Sequence, residues 1–253
     1  MFIDPGALRV VRSSARAPAV KNDLPTLIVA ADGSPASTSD CNVADLIAEI
    51  NDVDIHVVSV ESATKSAEYD ADLIIVRASS HGILDRLMRG ETAPGIAQLG
   101  NTPLLITAAG THSLPRRIAV AIDLDPSQLG DLTPVLSLFG PEASITCVHV
   151  QRPENFPGSD SPAFARAYEN AVAESFALTR EAISKVPGMR PDLIRLAGDP
   201  AIELIRYVEH VKVELLVLGL RRHYGMRRLL GGDVGLSILR GVSCSVLIVP
   251  ENH

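Results

Sequence analysis

The chain lacks Trp, and aromatic residues make up only 4% of its 253 positions. Apolar residues still account for 46%, the balance of a soluble globular protein. Positive charge is also short. Lys and Arg number 23 against 30 Asp and Glu, a net charge of -7. A nucleic-acid partner would need a basic face, so none is expected. No run approaches the roughly 18 consecutive apolar residues of a membrane span, so no membrane partner is expected. The N-terminus has no apolar core followed by a small-residue cleavage site, so no secretory signal is expected. Cysteine is scarce. Cys41, Cys147 and Cys244 are odd in number, far apart and without metal-ligand spacing. They read as small buried or half-buried thiols. Together these absences predict a cytoplasmic protein, of one large domain or two of ordinary size.

What is present is a series of short apolar runs separated by helical patterns. Residues 1–25 come first, a Pro-interrupted arm with Arg9, Arg12, Arg16 and Lys21. Leu27–Ala31 reads as a buried parallel strand. It is followed by the turn Asp32-Gly33-Ser34-Pro35 and a helix through about Asn51, with Val43, Leu46, Ile47 and Ile50 at helical spacing. Further strands are predicted at Ile55–Val60, Leu73–Val76 and Leu104–Thr107. Residues 108–115 read as a linker. The pattern then restarts with a strand at Ile118–Ile122, a helix near 128–139, and a strand at Ser144–Val150. Next comes a long helix over 162–186, capped by Ser161-Pro162. A strand at Asp192–Leu196 leads to a helix capped by Asp199, whose apolar face is read as Ile202, Ile205 and Val208. The last strands are Leu215–Leu218, ending at Gly219, and Val246–Val249.

The chain repeats itself. Residues 76–107 align with 218–249 without a gap at an offset of 142. His81 meets His223, Arg86 meets Arg228, Gly90 meets Gly232, Glu91 meets Asp233 and Ile106 meets Ile248. The first strands match at a smaller offset of 91, Val29–Asp32 on Val120–Asp123. The two offsets differ by 51 residues, so the first copy lacks about that much. The extra material in the second copy is its long helix, the strand at 192–196 and the helix after it.

With VAADGS at 29–34, VAID at 120–123, the Gly198-Asp199-Pro200 turn and two matching loop-helix-strand ends, the sequence resembles a tandem universal stress protein. The resemblance covers most of 26–107 and all of 116–250. It implies two doubly wound, parallel-sheet α/β domains of the adenine-nucleotide α-hydrolase-like kind. A truncated domain at 26–107 and a complete one at 116–253 would follow the arm at 1–25, joined by the linker at 108–115. It also implies that the two units pair through their last strands, here within one chain. A homodimer would be a further assembly.

Nucleotide-binding members of that family carry Gly, two residues, Gly, nine residues, Gly, then Ser or Thr. In the second copy Gly219 and Gly232 fit the first and third glycines, and Val234 follows in the loop-helix start. Arg222 stands at the second glycine and Asp233 at the hydroxyl. In the first copy the four positions read Arg77, Ser80, Gly90 and Glu91. A phosphate loop needs small residues so that backbone N–H groups can approach the anion. A carboxylate at a helix start occupies that same electrostatic place. Asp233 and Glu91 are thus expected to act as built-in anions that repel phosphate. Asp32 and Asp123 match the family residue near adenine and ribose; as plain residues they read as turn or capping carboxylates.

The repeated His81 and His223 have no nucleophile or acid partner in the pattern. Ser34 and Ser79 lack a nucleophile-elbow context. No metal constellation is seen. The chain is therefore expected to be non-enzymatic and to need no cofactor, a stress-response protein with degraded nucleotide sites. The alternative is a sensor that binds ATP or another adenine nucleotide with the 219–233 loop, where Arg221, Arg222, Arg227 and Arg228 could hold an anion.

Overall fold

A computed structural model describes residues 24–31, 42–59, 71–77, 102–122, 132–151, 161–184, 191–220 and 233–250. In chain order these form β1 (Thr26–Ala31), α1 (Asn42–Ile50), β2 (Asp54–Ser59), β3 (Leu73–Arg77), β4 (Leu104–Thr107), β5 (Arg117–Ala121) and α2 (Leu132–Ser137). They continue with β6 (Ser144–Gln151), α3 (Pro162–Ser184), β7 (Asp192–Ala197), α4 (Pro200–Val211), β8 (Leu215–Leu220), α5 (Asp233–Gly241) and β9 (Ser245–Pro250).

The apolar runs become strands because a parallel strand in the middle of a sheet is buried on both faces. All nine join one sheet, in the order β2-β1-β3-β4-β9-β8-β5-β6-β7. Every neighbouring pair is parallel except β4 and β9, which run antiparallel. Helices cover both faces. One apolar layer is packed by α1, α2 and Phe176 of α3. The other is packed by Ala201, Leu204 and Val208 of α4 and by Ile238 and Leu239 of α5. Both layers run unbroken across the β4–β9 contact.

Strand registers repeat along with the sequence. Leu27 pairs with Leu73 where Ile118 pairs with Leu215. Ile74 pairs with Leu104 where Leu216 pairs with Val246. These positions are equivalent at the offsets of 91 and 142. The β4–β9 pairing maps onto itself, with Leu104 on Ile248, Leu105 on Leu247 and Ile106 on Val246. On the second side β7 lies beyond β6; on the first side β2 is the outermost described strand.

Local chemistry sets the ends of the helices. Asp199 accepts from the N–H groups of Ala201 (3.0 Å) and Ile202 (3.1 Å), with Pro200 in the first turn. Gly198, at φ +146°, leads into this cap, and a Cβ there would lie 2.7 Å from Glu203 Cγ. Ser161 Oγ accepts from Phe164 N at 3.1 Å and starts α3. Three sequence expectations need correction. The helix near 128–139 ends at Ser137; Leu138, Phe139 and Gly140 close it with bonds to the carbonyls three residues back. The buried face of α4 is Ala201, Leu204 and Val208, while Ile202 is 50% exposed. Ile202 lies about 100° around the helix from Ala201, and the sheet accepts only one stripe. Ile50, read as part of the α1 apolar stripe, is exposed.

The central pair of the antiparallel contact is buried on both sides, with Leu105 at 1% and Leu247 at 0% exposure. Leu105→Ala should therefore cost about 2–5 kcal/mol in urea denaturation. A cost under about 1 kcal/mol would mean that this contact is not packed as described.

Candidate functional site

In the second half of the sheet the chain leaves β5 for β6 and β7 on one side, then returns to β8 and β9 on the other. The strand order thus reverses between β5 and β8. A crevice outside the carboxyl ends of these strands is where open α/β sheets place ligands. β1 and β3 form the equivalent point in the first half.

Three of the nine candidate residues lie within the described chain. Gly219 is half-buried inside β8, not at its end. The strand continues through Leu220, and Gly219 and Leu220 pair with Val249 and Pro250. Its equivalent, Arg77, is the last residue of β3, paired with Thr107. The backbone of the first motif position is thus held in the sheet in both halves. Asp233 is the first residue of α5. Val234 follows it and packs its half-buried side chain against the α4–α5 apolar layer. Asp32, Gly90, Glu91, Asp123, Arg222 and Gly232 lie outside the described residues, as do His81, His223 and Cys41.

At the mouth of β5 the structure shows a polar pair that sequence reasoning missed. His149, on β6, is buried. Its Nδ1 lies 3.2 Å from the carbonyl of Ile122, the residue before Asp123. A carbonyl only accepts, so Nδ1 carries the proton. Nε2 is then the acceptor for the Tyr168 hydroxyl at 2.9 Å. Tyr168 comes from α3, so this pair ties that helix to the end of β5. The Arg195 guanidinium stacks 5.4 Å from the Tyr168 ring centroid. It grips the Glu169 carboxylate with two bonds of 2.7 and 2.8 Å and also donates to Gln151. The Arg195 hydrogen bond holds the Glu169 carboxyl below its usual range, and Glu169 raises Arg195 in turn. The sequence signal was weak. Ile145, Cys147 and His149 alternate onto one face of β6, but Tyr168 lies beyond a loop on another element.

Two of the three thiols, Cys147 and Cys244, lie within the described residues. Burial pushes Cys147 up to about 12 and Cys244 up to about 11. Among the described residues no group of three or more His, Cys, Asp or Glu is arranged to hold a metal ion. No described helix is long and apolar enough to cross a membrane.

The profile of the universal stress protein family matches residues 115–250, more than half of the chain. The chain belongs to the universal stress protein family. It is 32% identical over 78 residues to a universal stress protein of Methanocaldococcus jannaschii, a match covering 28% of this chain and 46% of that relative. The chain thus spans about half the length of the curated relative. A solved universal stress protein of Archaeoglobus fulgidus aligns over 90% of this chain and 87% of its own, at 13% identity and a TM-score of 0.51. A structure of a Pseudomonas aeruginosa protein, described as a putative universal stress protein, aligns over 89% and 82%, at 15% identity and a TM-score of 0.58. At these identities the two structures speak for the universal stress fold alone.

Two outcomes follow for this universal stress chain. Tyr168→Phe leaves the buried His149 Nε2 without its donor and should cost about 1–2 kcal/mol in urea denaturation; an unchanged midpoint would refute the assigned pair. In a Cys41→Ser background, alkylation of Cys244 should rise about tenfold per pH unit from about pH 7 to 9, because only the thiolate reacts and its fraction is still far from saturation. A plateau below pH 9 would contradict the raised thiol.

Proposed function

We propose that this chain is a non-enzymatic stress-response protein that works through protein contacts. On this reading it consists of two copies of one family unit, the first lacking its last edge strand and two helices. Support comes from the shared strand registers and from the antiparallel strand pair that maps onto itself. Its nucleotide sites are closed by its own carboxylates. The observation that carries this is the place of Asp233, at the first position of α5. That is where a helix's unpaired N–H groups and positive dipole end would otherwise face a phosphate. An acidic residue there satisfies the same field and repels a second anion. Glu91 stands at the equivalent position of the first half. The embedding of Gly219 in β8 adds to this, since a residue fixed in a strand is less free to wrap an anion.

A second reading, an adenine-nucleotide-binding sensor, draws on the strand-order reversal between β5 and β8 and on the basic run at Arg221, Arg222, Arg227 and Arg228. Calorimetric titration of ATP separates the two. The unmodified chain should show no micromolar binding. Asp233→Ser should tighten any residual affinity by at least about tenfold, about 1.4 kcal/mol. Micromolar binding by the unmodified chain would overturn the first reading and establish the second.

A further inference from the structure

We propose that a cavity at the β4–β9 seam is a binding site for a small neutral polyol, of the size of a pyranose or inositol ring. The cavity measures about 260 Å³, the volume of about nine waters at ~30 Å³ each. It lies at the starts of β8 and β9, the opposite end of these strands from the crevice between β5 and β8, and at the carboxyl end of β4. Its roof is the connection 108–115, where the chain passes from the first half of the sheet to the second.

The lining chemistry selects the ligand. The floor is apolar, made by Val43, Leu105, Phe139 and Leu215. The rim is hydroxylic, with Thr111, Ser113, Ser243 and Ser245. A cyclic polyol matches both, with C–H faces for the floor and hydroxyls for the rim. Ser245 Oγ accepts from Ala108 N at 3.0 Å. Thr111 Oγ1 donates to the Ala108 carbonyl at 2.9 Å. The two hydroxyl oxygens are 3.5 Å apart, a long contact that a ligand oxygen at ~2.8 Å would improve on.

Ionic ligands fit less well. The carboxylate in the wall, Glu214, is already matched. It accepts from the N–H groups of Arg116 (2.6 Å) and Arg117 (3.0 Å) and pairs with the Arg117 guanidinium at 2.7 Å. It offers no spare charge to a cation, and an anion would give up hydration to a lining whose one basic side chain is the exposed imidazole of His112. A neutral ligand loses least and touches β4, the connection and the starts of β8 and β9 together. Occupancy would thus fasten the two halves of the sheet to each other.

Melting temperature is a poor test, because polyols stabilise most proteins by exclusion from their surfaces. The test is a titration of myo-inositol and of glucose into the ¹⁵N-labelled full chain. Saturable shifts confined to 107–115, 213–215 and 243–245 are expected. In the Cys41→Ser background, Cys244, which also lines the cavity, reports occupancy by its alkylation rate. That rate should fall about threefold with probe at about twice its Kd, following 1 + [L]/Kd. Ser243→Trp, at an exposed rim position, should remove both effects. Thr111→Val, which keeps the shape and loses the hydroxyl, should weaken binding and serves if the Trp variant fails to fold. Shifts that are linear in probe or spread over the surface, unchanged alkylation, or the same response in Thr111→Val would overturn the proposal.

Discussion

The antiparallel contact between β4 and β9 is the constraint on which the rest of the structure depends. Each strand, Leu104–Thr107 and Ser245–Pro250, is built on an apolar run, Leu104–Ile106 and Val246–Val249, and each ends one parallel run of strands. Left open, such an edge would expose unpaired backbone groups flanked by fully apolar faces, a template for aggregation. Here each strand covers the other. The pairing is symmetric about Leu105 and Leu247, so neither half can slide without breaking both sets of contacts. A one-residue slip would turn the buried side chains of β4 to the opposite faces. Helix packing follows the same constraint. Asn51, just past α1, donates to the carbonyl of Leu138, just past α2, so the two helices meet across the seam. Both apolar layers therefore belong to the whole sheet.

The two outer ends of the sheet are finished differently. β7 presents Arg195, held by Glu169 and Gln151 and stacked on Tyr168. A charged side chain fixed on an edge strand discourages a further strand. It also anchors α3, whose Tyr168 reaches back to His149 and the end of β5. One chain of contacts thus runs from the outermost strand to the strand beside the crevice. On the other side β2 is the outermost described strand, and its Val57 is 38% exposed. Among the described residues, the Arg195–Tyr168–His149 linkage belongs to the second half of the sheet.

Much of this was legible in the sequence, for a definite reason. Strands buried on both faces read as continuous apolar runs, and the runs beginning at Leu27, Leu73, Leu104, Ile118, Leu215 and Val246 all became central strands. The caps at Ser161 and Asp199 were legible because a side-chain oxygen before a helix has few other uses. The errors arose where sequence offers two solutions of similar quality. In α4, Ala201, Ile202, Leu204, Ile205 and Val208 can supply more than one apolar stripe. The small Ala201 was passed over, although it permits the close approach to the sheet. Gly219 looked like a strand end, but backbone pairing to β9 is indifferent to the missing side chain. The His149–Tyr168 pair was illegible, since nothing local relates a strand residue to a helix residue 19 positions on. Only the docking of α3 brings them together.

The frame at 214–249 has a structural reason to exist that owes nothing to a ligand. β8 and β9 lie side by side in the sheet, and a parallel neighbour can be reached only by a crossover on one face. α5 is that crossover. Val234, Ile238 and Leu239 seat it against the layer shared with α4, and Gly241 lets Ile205 of α4 come close. All these contacts survive whatever residue stands at the helix start. The fold therefore needs a helix between β8 and β9 whatever residue stands at position 233. The frame belongs to the family fold, and it sets where the helix N-terminus stands. There, an acidic residue gains from the same N–H groups and dipole that would favour a phosphate. Family membership therefore does not by itself make this chain a nucleotide binder.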